Sequence, residues 1–277
     1  MRGGKPIPGK KVGIGSSLFI SDRSFFKFVD VSNAYGAKNE TAYNRQVSLG
    51  DVNLDGFLDI AIGADNVVNQ FEGLPLSALL VFQPKDGMFD GGRFEDIGGT
   101  DLVPDFGGYY NDPSRDRAGP NIVLRDLDND GDIDLAQGNH LLVIGGNIPL
   151  NRIPFTPAEY RHGFFNWQNK LLETGSFRFE KITDNGFADV GQFRYDEAEG
   201  MLVPRGEERA PAITHLFYAD VNNDGLFDAI AVAGMNPIGR PATEPVAARF
   251  WYNEGNFQFR IATEEAGLDI LNQRYAF

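Results

Sequence analysis

The sequence predicts an all-β fold built from a repeated four-stranded antiparallel meander. Three observations predict it. A nine-residue pattern, D-x-[D/N]-x-D-G-x-x-D, occurs three times, at Asp51–Asp59, Asp126–Asp134 and Asp220–Asp228. Each copy lies between two short strand-like runs, the second of them apolar and ending at glycine. Each is then followed by an aromatic run, a polar turn and a phenylalanine-rich run. Short apolar runs bounded by Gly, Asp and Asn read as strands rather than helices. Four such strands recurring in one order are what a blade of a β-propeller looks like in sequence.

The elements follow in chain order. Strand A is Arg45–Leu49, Asn121–Leu124 and Ile213–Tyr218 in the three units, and strand B is Leu58–Gly63, Ile133–Gly138 and Phe227–Gly234. Strand C is Leu79–Phe82, Phe164–Trp167 and Phe250–Tyr252, and strand D is Gly92–Ile97, Ser176–Ile182 and Phe257–Ile261. A coda with a glycine follows two units, as Thr183–Gly186 and Thr263–Leu268, and appears once near the start as Phe28–Gly36, with no acidic loop before it. These assignments place blades at about 40–97, 120–182 and 211–262, within a propeller segment spanning 25–277 and preceded by an extension over 1–24. The expectation is about three complete four-stranded blades plus the tail of a preceding one. Three blades do not close a ring, because propellers have about four to eight. The missing blades are expected in cis, from a longer precursor, or in trans, from another subunit.

The loops carry the chemistry. Side-chain oxygens at positions 1, 3 and 5 alternate along the chain and converge on one hard cation if the backbone wraps around it. The glycine at position 6 permits that wrapping. A carbonyl at position 7 and the carboxylate at position 9 complete the oxygen shell that Ca²⁺ prefers. The candidate ligands are Asp51, Asn53, Asp55, Phe57 and Asp59; Asp126, Asp128, Asp130, Asp132 and Asp134; and Asp220, Asn222, Asp224, Leu226 and Asp228, with Phe57, Asp132 and Leu226 supplying carbonyls. About three structural Ca²⁺ ions are expected, against the alternative of acidic turns that hold no metal. An EF-hand does not fit. It requires a Glu at loop position 12 and flanking helices, whereas position 12 is Ile62, Gln137 and Ala231.

With these residues in view, the chain resembles the FG-GAP/VCBS repeats of integrin-α-like calcium-binding propellers. The loops, the Tyr252-Asn-x-Gly255-x-Phe257 turn and the Phe28-x-Asp30-Val31…Gly36 coda carry the resemblance. The coda brings it nearest to bacterial proteins related to cartilage acidic protein. The resemblance implies a seven-bladed ring and covers about residues 25 to 270. The first unit departs from it by lacking the Asn-x-Gly turn, and the loop starts lie 75 and 94 residues apart, more than a bare blade needs.

Charge and composition narrow the function. The chain of 277 residues carries 39 acidic and 25 basic side chains, a net charge of −14. The three loops hold three, five and three of the acidic groups, so three calcium ions would bring the net charge to −8. That balance offers no basic footprint for nucleic acid, and no apolar run is long enough for a membrane span. There is no cysteine, which excludes disulfides and thiol catalysis. Calcium sites of this kind stay filled where the ion is millimolar, so an extracytoplasmic setting is expected, whether periplasmic, secreted or cell-surface. The opening Met1-Arg-Gly-Gly-Lys-Pro6 has no apolar h-region, which leaves a signal elsewhere or already removed, or a start that is not the natural one.

A meander sends its A–B and C–D connections to one face and its B–C and D–A connections to the other. The long insertions, 64–77, 98–120, 139–163, 184–211 and 234–247, all fall in the second group. Insertions on one face of a repeat protein build its binding surface. The expected partner residues there are Tyr109, Tyr110, Arg115, Arg117, Tyr160, Arg161, Tyr195, Arg205 and Arg240, since Tyr and Arg are the side chains that interface hot spots favour. The partner would be a protein or a glycan. No catalytic residue is assigned. His140 and His162 flank one insertion without a carboxylate at ligand spacing, and His215, in a strand A, is expected to pack between units. The expected function is a non-catalytic, calcium-stabilised binding scaffold. The alternative is a carbohydrate-active propeller of the polysaccharide-lyase kind, which needs Arg, His, Tyr and carboxylate groups converging on the central channel.

Overall fold

The structure, a computed structural model, describes residues 17–21, 27–37, 43–65, 77–104, 106, 121–138, 148–149, 164–182, 184–187, 193–196, 201–204, 212–235 and 248–268. Strands β1 (Phe19–Ser21) and β2 (Phe28–Asp30) form an antiparallel hairpin, so the boundary expected at residue 24 falls inside one structural piece. The first four-stranded sheet runs β3 (Tyr43–Gly50), β4 (Asp59–Asp65), β5 (Ala78–Lys85) and β6 (Met88–Asp96). The second takes β7 (Asn121–Arg125) and β8 (Asp134–Gly138). After the short β9 (Ile148–Pro149), which pairs elsewhere, it is completed by β10 (Phe164–Asn169) and β11 (Phe179–Ile182). Strands β12 (Phe193–Asp196) and β13 (Met201–Pro204) precede the third sheet of β14 (Ala212–Ala219), β15 (Asp228–Met235), β16 (Ala248–Asn253) and β17 (Phe259–Ile261). All pairings within the three larger sheets are antiparallel and join successive strands, except that β8 pairs with β10 past the intervening β9.

The first sheet closes its C–D connection differently from the others. Lys85 pairs with Met88 across Asp86 and Gly87, whose φ values are 53° and 71°. Two consecutive positive φ angles match the twist of a tight hairpin, and Asp-Gly tolerates them. This dipeptide replaces the missing Asn-x-Gly turn.

The sheets pack face to face through their inner strands. β7 lies against β3 and β4 of the first sheet and against β14 of the third. Between the first two sheets Leu79, Val81, Ile122, Leu135, Phe165 and Trp167 make a closed core. Between the second and third, Val123, Ala136, Leu216, Trp251 and Phe259 make another. Period-2 alternation decides which core each strand residue joins: Val123 and Ala136 face one neighbour, Ile122 and Leu135 the other. The N-terminal segment covers the β5–β6 side of the first sheet's outer face, where Tyr35 stacks on Phe89 and Leu18 packs nearby.

The codas are straps between sheets. Leu102 accepts a hydrogen bond from Phe179 N at 2.7 Å, and Pro104 accepts from Trp167 Nε1 at 3.0 Å, tying the segment after β6 to the second sheet. Asn185 accepts from Phe259 N at 3.0 Å, and Phe187 stacks on Phe259, tying the segment after β11 to the third. Gly186 needs to be glycine: its φ is 67°, and a Cβ there would meet Phe259 N at 2.9 Å. Residues 98–104 were legible in sequence only as an insertion, yet they do the same work as the coda at 184–187.

The insertion face has its own small sheet. β13 pairs with β12 and, through Met201 and Leu202, with Pro149 and Ile148 of β9. The B–C and D–A connections of the second unit therefore fold together, as expected of two connections leaving the same face.

Candidate metal centre

The three nine-residue loops fold alike, down to individual hydrogen bonds. At position 1, Asp51 accepts from Asp55 N (3.0 Å) and Gly56 N (2.8 Å), Asp126 from Asp130 N (3.1 Å) and Gly131 N (3.0 Å), and Asp220 from Asp224 N and Gly225 N (both 3.0 Å). At position 5, Asp55, Asp130 and Asp224 each accept from the N–H of position 7 at 2.8 to 3.0 Å. Position 4 is left-handed, at Leu54 (φ 56°), Asn129 (63°) and Asn223 (62°), and the glycine at position 6 follows with φ of 88°, 104° and 91°. Two left-handed residues separated by one fold the backbone back on itself and gather the side chains of positions 1, 3 and 5.

Charge is densest in the second loop. Asp126, Asp128 and Asp130 each place a carboxylate oxygen within 4.8 Å of the others, a cluster able to hold a metal ion. The first and third loops carry Asn53 and Asn222 at position 3, each donating from Nδ2 to the position-5 carboxylate (3.0 and 2.8 Å). Asp128 has no such relief. Its Oδ1 is buried without a hydrogen-bond partner, while Oδ2 accepts from Gln168 Nε2 at 2.5 Å. Burial first, then the neighbouring Asp130 carboxylate, pushes Asp128 up to about 6. A desolvated carboxylate oxygen with no donor is costly unless a cation meets it. The residues present thus fit a hard cation: the side-chain oxygens of Asp126, Asp128 and Asp130 would hold it, and it would cancel their mutual repulsion.

Position 9 has a role the motif alone does not reveal. Asp59, Asp134 and Asp228 are fully buried. Asp134 Oδ2 accepts from Leu127 N of its own loop (2.7 Å), and Oδ1 accepts from Asn169 N of β10 (2.9 Å). Asp59 bridges Val52 N and Phe82 N, and Asp228 bridges Val221 N and Asn253 N, in the same way. Each pins its loop to strand C, and each oxygen keeps a second lone pair for an ion. Burial dominates their acidity: it pushes Asp59 to about 6 and Asp134 to about 9, and it raises Asp228.

Two asparagines extend this link between sheets. Asn169 Nδ2 donates to Val52 O of the first loop (2.7 Å) and Ile133 O of its own (3.2 Å). Asn253 Nδ2 donates to Leu127 O of the second loop (2.7 Å) and Phe227 O of its own (3.2 Å). A hydrogen-bonded path therefore runs from Val52 through Asn169, Asp134, Leu127, Asn253 and Asp228 to Val221, touching all three loops. The signal was present as the shared spacing Trp167-x-Asn169 and Trp251-x-Asn253. In the first sheet the equivalent position is Phe82, which packs into the aromatic cluster against the N-terminal segment instead. That segment brings no acidic loop, so there is no loop carbonyl for an asparagine to reach.

The remaining expected residues divide. Tyr109, Tyr110, Arg115, Arg117, Tyr160, Arg161, Arg205 and Arg240 lie outside the described residues, as do His140 and His162. Tyr195 sits in β12, opposite Leu202 of β13. His215 is exposed, its ring parallel to Phe217 at 5.9 Å, on the face of β14 turned away from the second sheet.

A family model for the FG-GAP repeat matches residues 43–73, the stretch that begins at β3 and takes in the first acidic loop and β4. Comparison with curated proteins gives no match. The chain thus carries an FG-GAP repeat within an all-β fold of four-stranded antiparallel sheets. No helix among the described residues is long and apolar enough to cross a membrane.

Proposed function

We propose that this protein is a calcium-stabilised, extracytoplasmic β-propeller scaffold that binds a protein or glycan partner through its long-insertion face and catalyses nothing. The observation that carries the calcium reading is Asp128 Oδ1, buried and unpartnered among Asp126 and Asp130 in a loop whose backbone recurs in two other sheets. The FG-GAP match over the first loop supports it. The pairing of the second unit's two insertions through β9 and β13 supports a recognition face built by the connections that do not carry the acidic loops.

The finer fold reading is a set of three blades plus the tail of a preceding one, within a seven-bladed ring completed in cis or in trans. Position-2 side chains support it. Val52 and Leu127 are buried by the following sheet, whereas Val221 is 54% exposed beside exposed Phe217. Val47 and Leu49 are exposed on the outer face of the first sheet. These are the surfaces that further blades would cover.

The test is thermal unfolding of the full chain with millimolar calcium and with excess chelator. An ion held at 100 times its dissociation constant adds about 2.7 kcal/mol per site, so chelation is expected to lower Tm by many degrees. Superimposable melting curves would overturn the calcium reading.

A further inference from the structure

We infer that the second unit holds an additional divalent-cation site outside its nine-residue loop, formed by Asp130, Asp132 and Glu173. The three carboxylates come from two connections on the same face: the acidic loop supplies two and the turn after β10 supplies the third. One oxygen of each lies within 4.8 Å of the others. A surface cluster of acids would mean little, but Asp132 is not on the surface. It is fully buried, and its Oδ1 has no hydrogen-bond partner. Its Oδ2 accepts from Leu172 N at 3.0 Å, which fixes the carboxylate against the turn and leaves Oδ1 for another partner.

The position of Asp132 in its loop separates this site from the loop's own. At position 7 the motif asks for a backbone carbonyl, so the side chain is available for a second purpose. The first and third loops place Phe57 and Leu226 there, and neither offers an oxygen. Only the second unit, among the described residues, pairs an acidic position 7 with an acidic turn.

Lys170 is the competitor. Its Nζ lies 3.0 Å from Glu173 Oε1, which also accepts from Gln168 Nε2 at 2.8 Å. One ammonium does not balance the five loop carboxylates and Glu173, and a loop ion would still leave this corner anionic. Asp130 would be shared between the two ions, with water completing the oxygen shell of the outer one. Such an ion would clamp the turn at 170–175 onto the acidic loop.

The inference rests on the calcium reading of the loops only in sharing Asp130, and calcium counting separates the two. Equilibrium dialysis of the full chain against calcium should show one ion more in the wild type than in Glu173→Gln or Asp132→Asn, both of which keep the loop's position-7 carbonyl. Lys170→Met should tighten that extra ion several-fold, whereas an ammonium that merely satisfies Glu173 predicts no gain. Equal counts in the wild type, Glu173→Gln and Asp132→Asn, with three ions bound, would overturn this site alone. No calcium bound to the wild type would overturn the loop reading with it.

Discussion

Replacing Asn253 by alanine tests the hydrogen-bonded path between sheets most directly. Asn253 is 2% exposed and its Nδ2 serves two carbonyls, Leu127 O at 2.7 Å and Phe227 O at 3.2 Å. Leu127 is itself fully buried, so water does not readily replace the lost donor. A buried acceptor left without a partner costs about 1–3 kcal/mol. The Gly255 N–H, which donates to Asn253 Oδ1 at 3.0 Å, lies nearer solvent and adds less. The expected loss is therefore about 2–4 kcal/mol, measured as a shift in urea midpoint at saturating calcium with an unchanged m-value. The location of the damage is equally diagnostic. Leu127 is position 2 of the second loop, so Asn253→Ala should weaken an ion in the second unit although the mutation lies in the third. Asn169→Ala should do the same to the first unit through Val52. A loss below about 0.5 kcal/mol, or calcium affinity unchanged in the preceding loop, would refute the path as a coupling between units.

Further outcomes are expected. In the metal-free protein, burial holds Asp59, Asp128 and Asp132 at about 6 and Asp134 at about 9, all above the ordinary 3.8. Folding then favours their protonated forms, so this stability is present below about pH 4 and is lost as pH rises through about 6 and on toward 9. Excess calcium should reverse the slope, because the ion binds deprotonated carboxylates; a metal-free Tm that climbs from pH 5 to pH 8 would contradict this. Gly186→Ala combines a φ of 67° with a Cβ 2.9 Å from Phe259 N, and should cost about 1–3 kcal/mol, more than Gly175→Ala, which shares a left-handed φ of 70° but would meet nothing within 4 Å; equal losses would mean that the close approach does not matter. Trp251→Ala removes a fully buried ring from the second core and should cost about 3–5 kcal/mol in the same denaturation assay; a loss under about 1 kcal/mol would mean the two sheets do not depend on that core.

Much of the architecture was legible because its determinants are local. The strand order A, B, C, D follows from short apolar runs punctuated by Asp, Asn and Gly, and each acidic loop announces its own backbone by the glycine at position 6. Those features depend on residues within about ten positions of one another, so a single pass along the chain finds them. The Asp86-Gly87 turn is equally local, although it does not follow the Asn-x-Gly pattern of the third unit.

What the tertiary structure decided depends on residues far apart in the chain. Asn169 and Val52 are 117 residues apart and belong to sheets that meet only after folding. The motif marks Asp134 as a ligand, but only packing shows it bonded to backbone on both oxygens and buried deeply enough to push its acidity up to about 9 without an ion. Glu173 and Asp132 become neighbours because the turn after β10 closes over the second loop, an approach no spacing rule encodes. The exposed side of His215 likewise follows from which face of β14 the second sheet occupies. Composition and period specify which elements form; burial and the meeting of distant loops specify which carboxylates lack a partner, and therefore where a cation belongs.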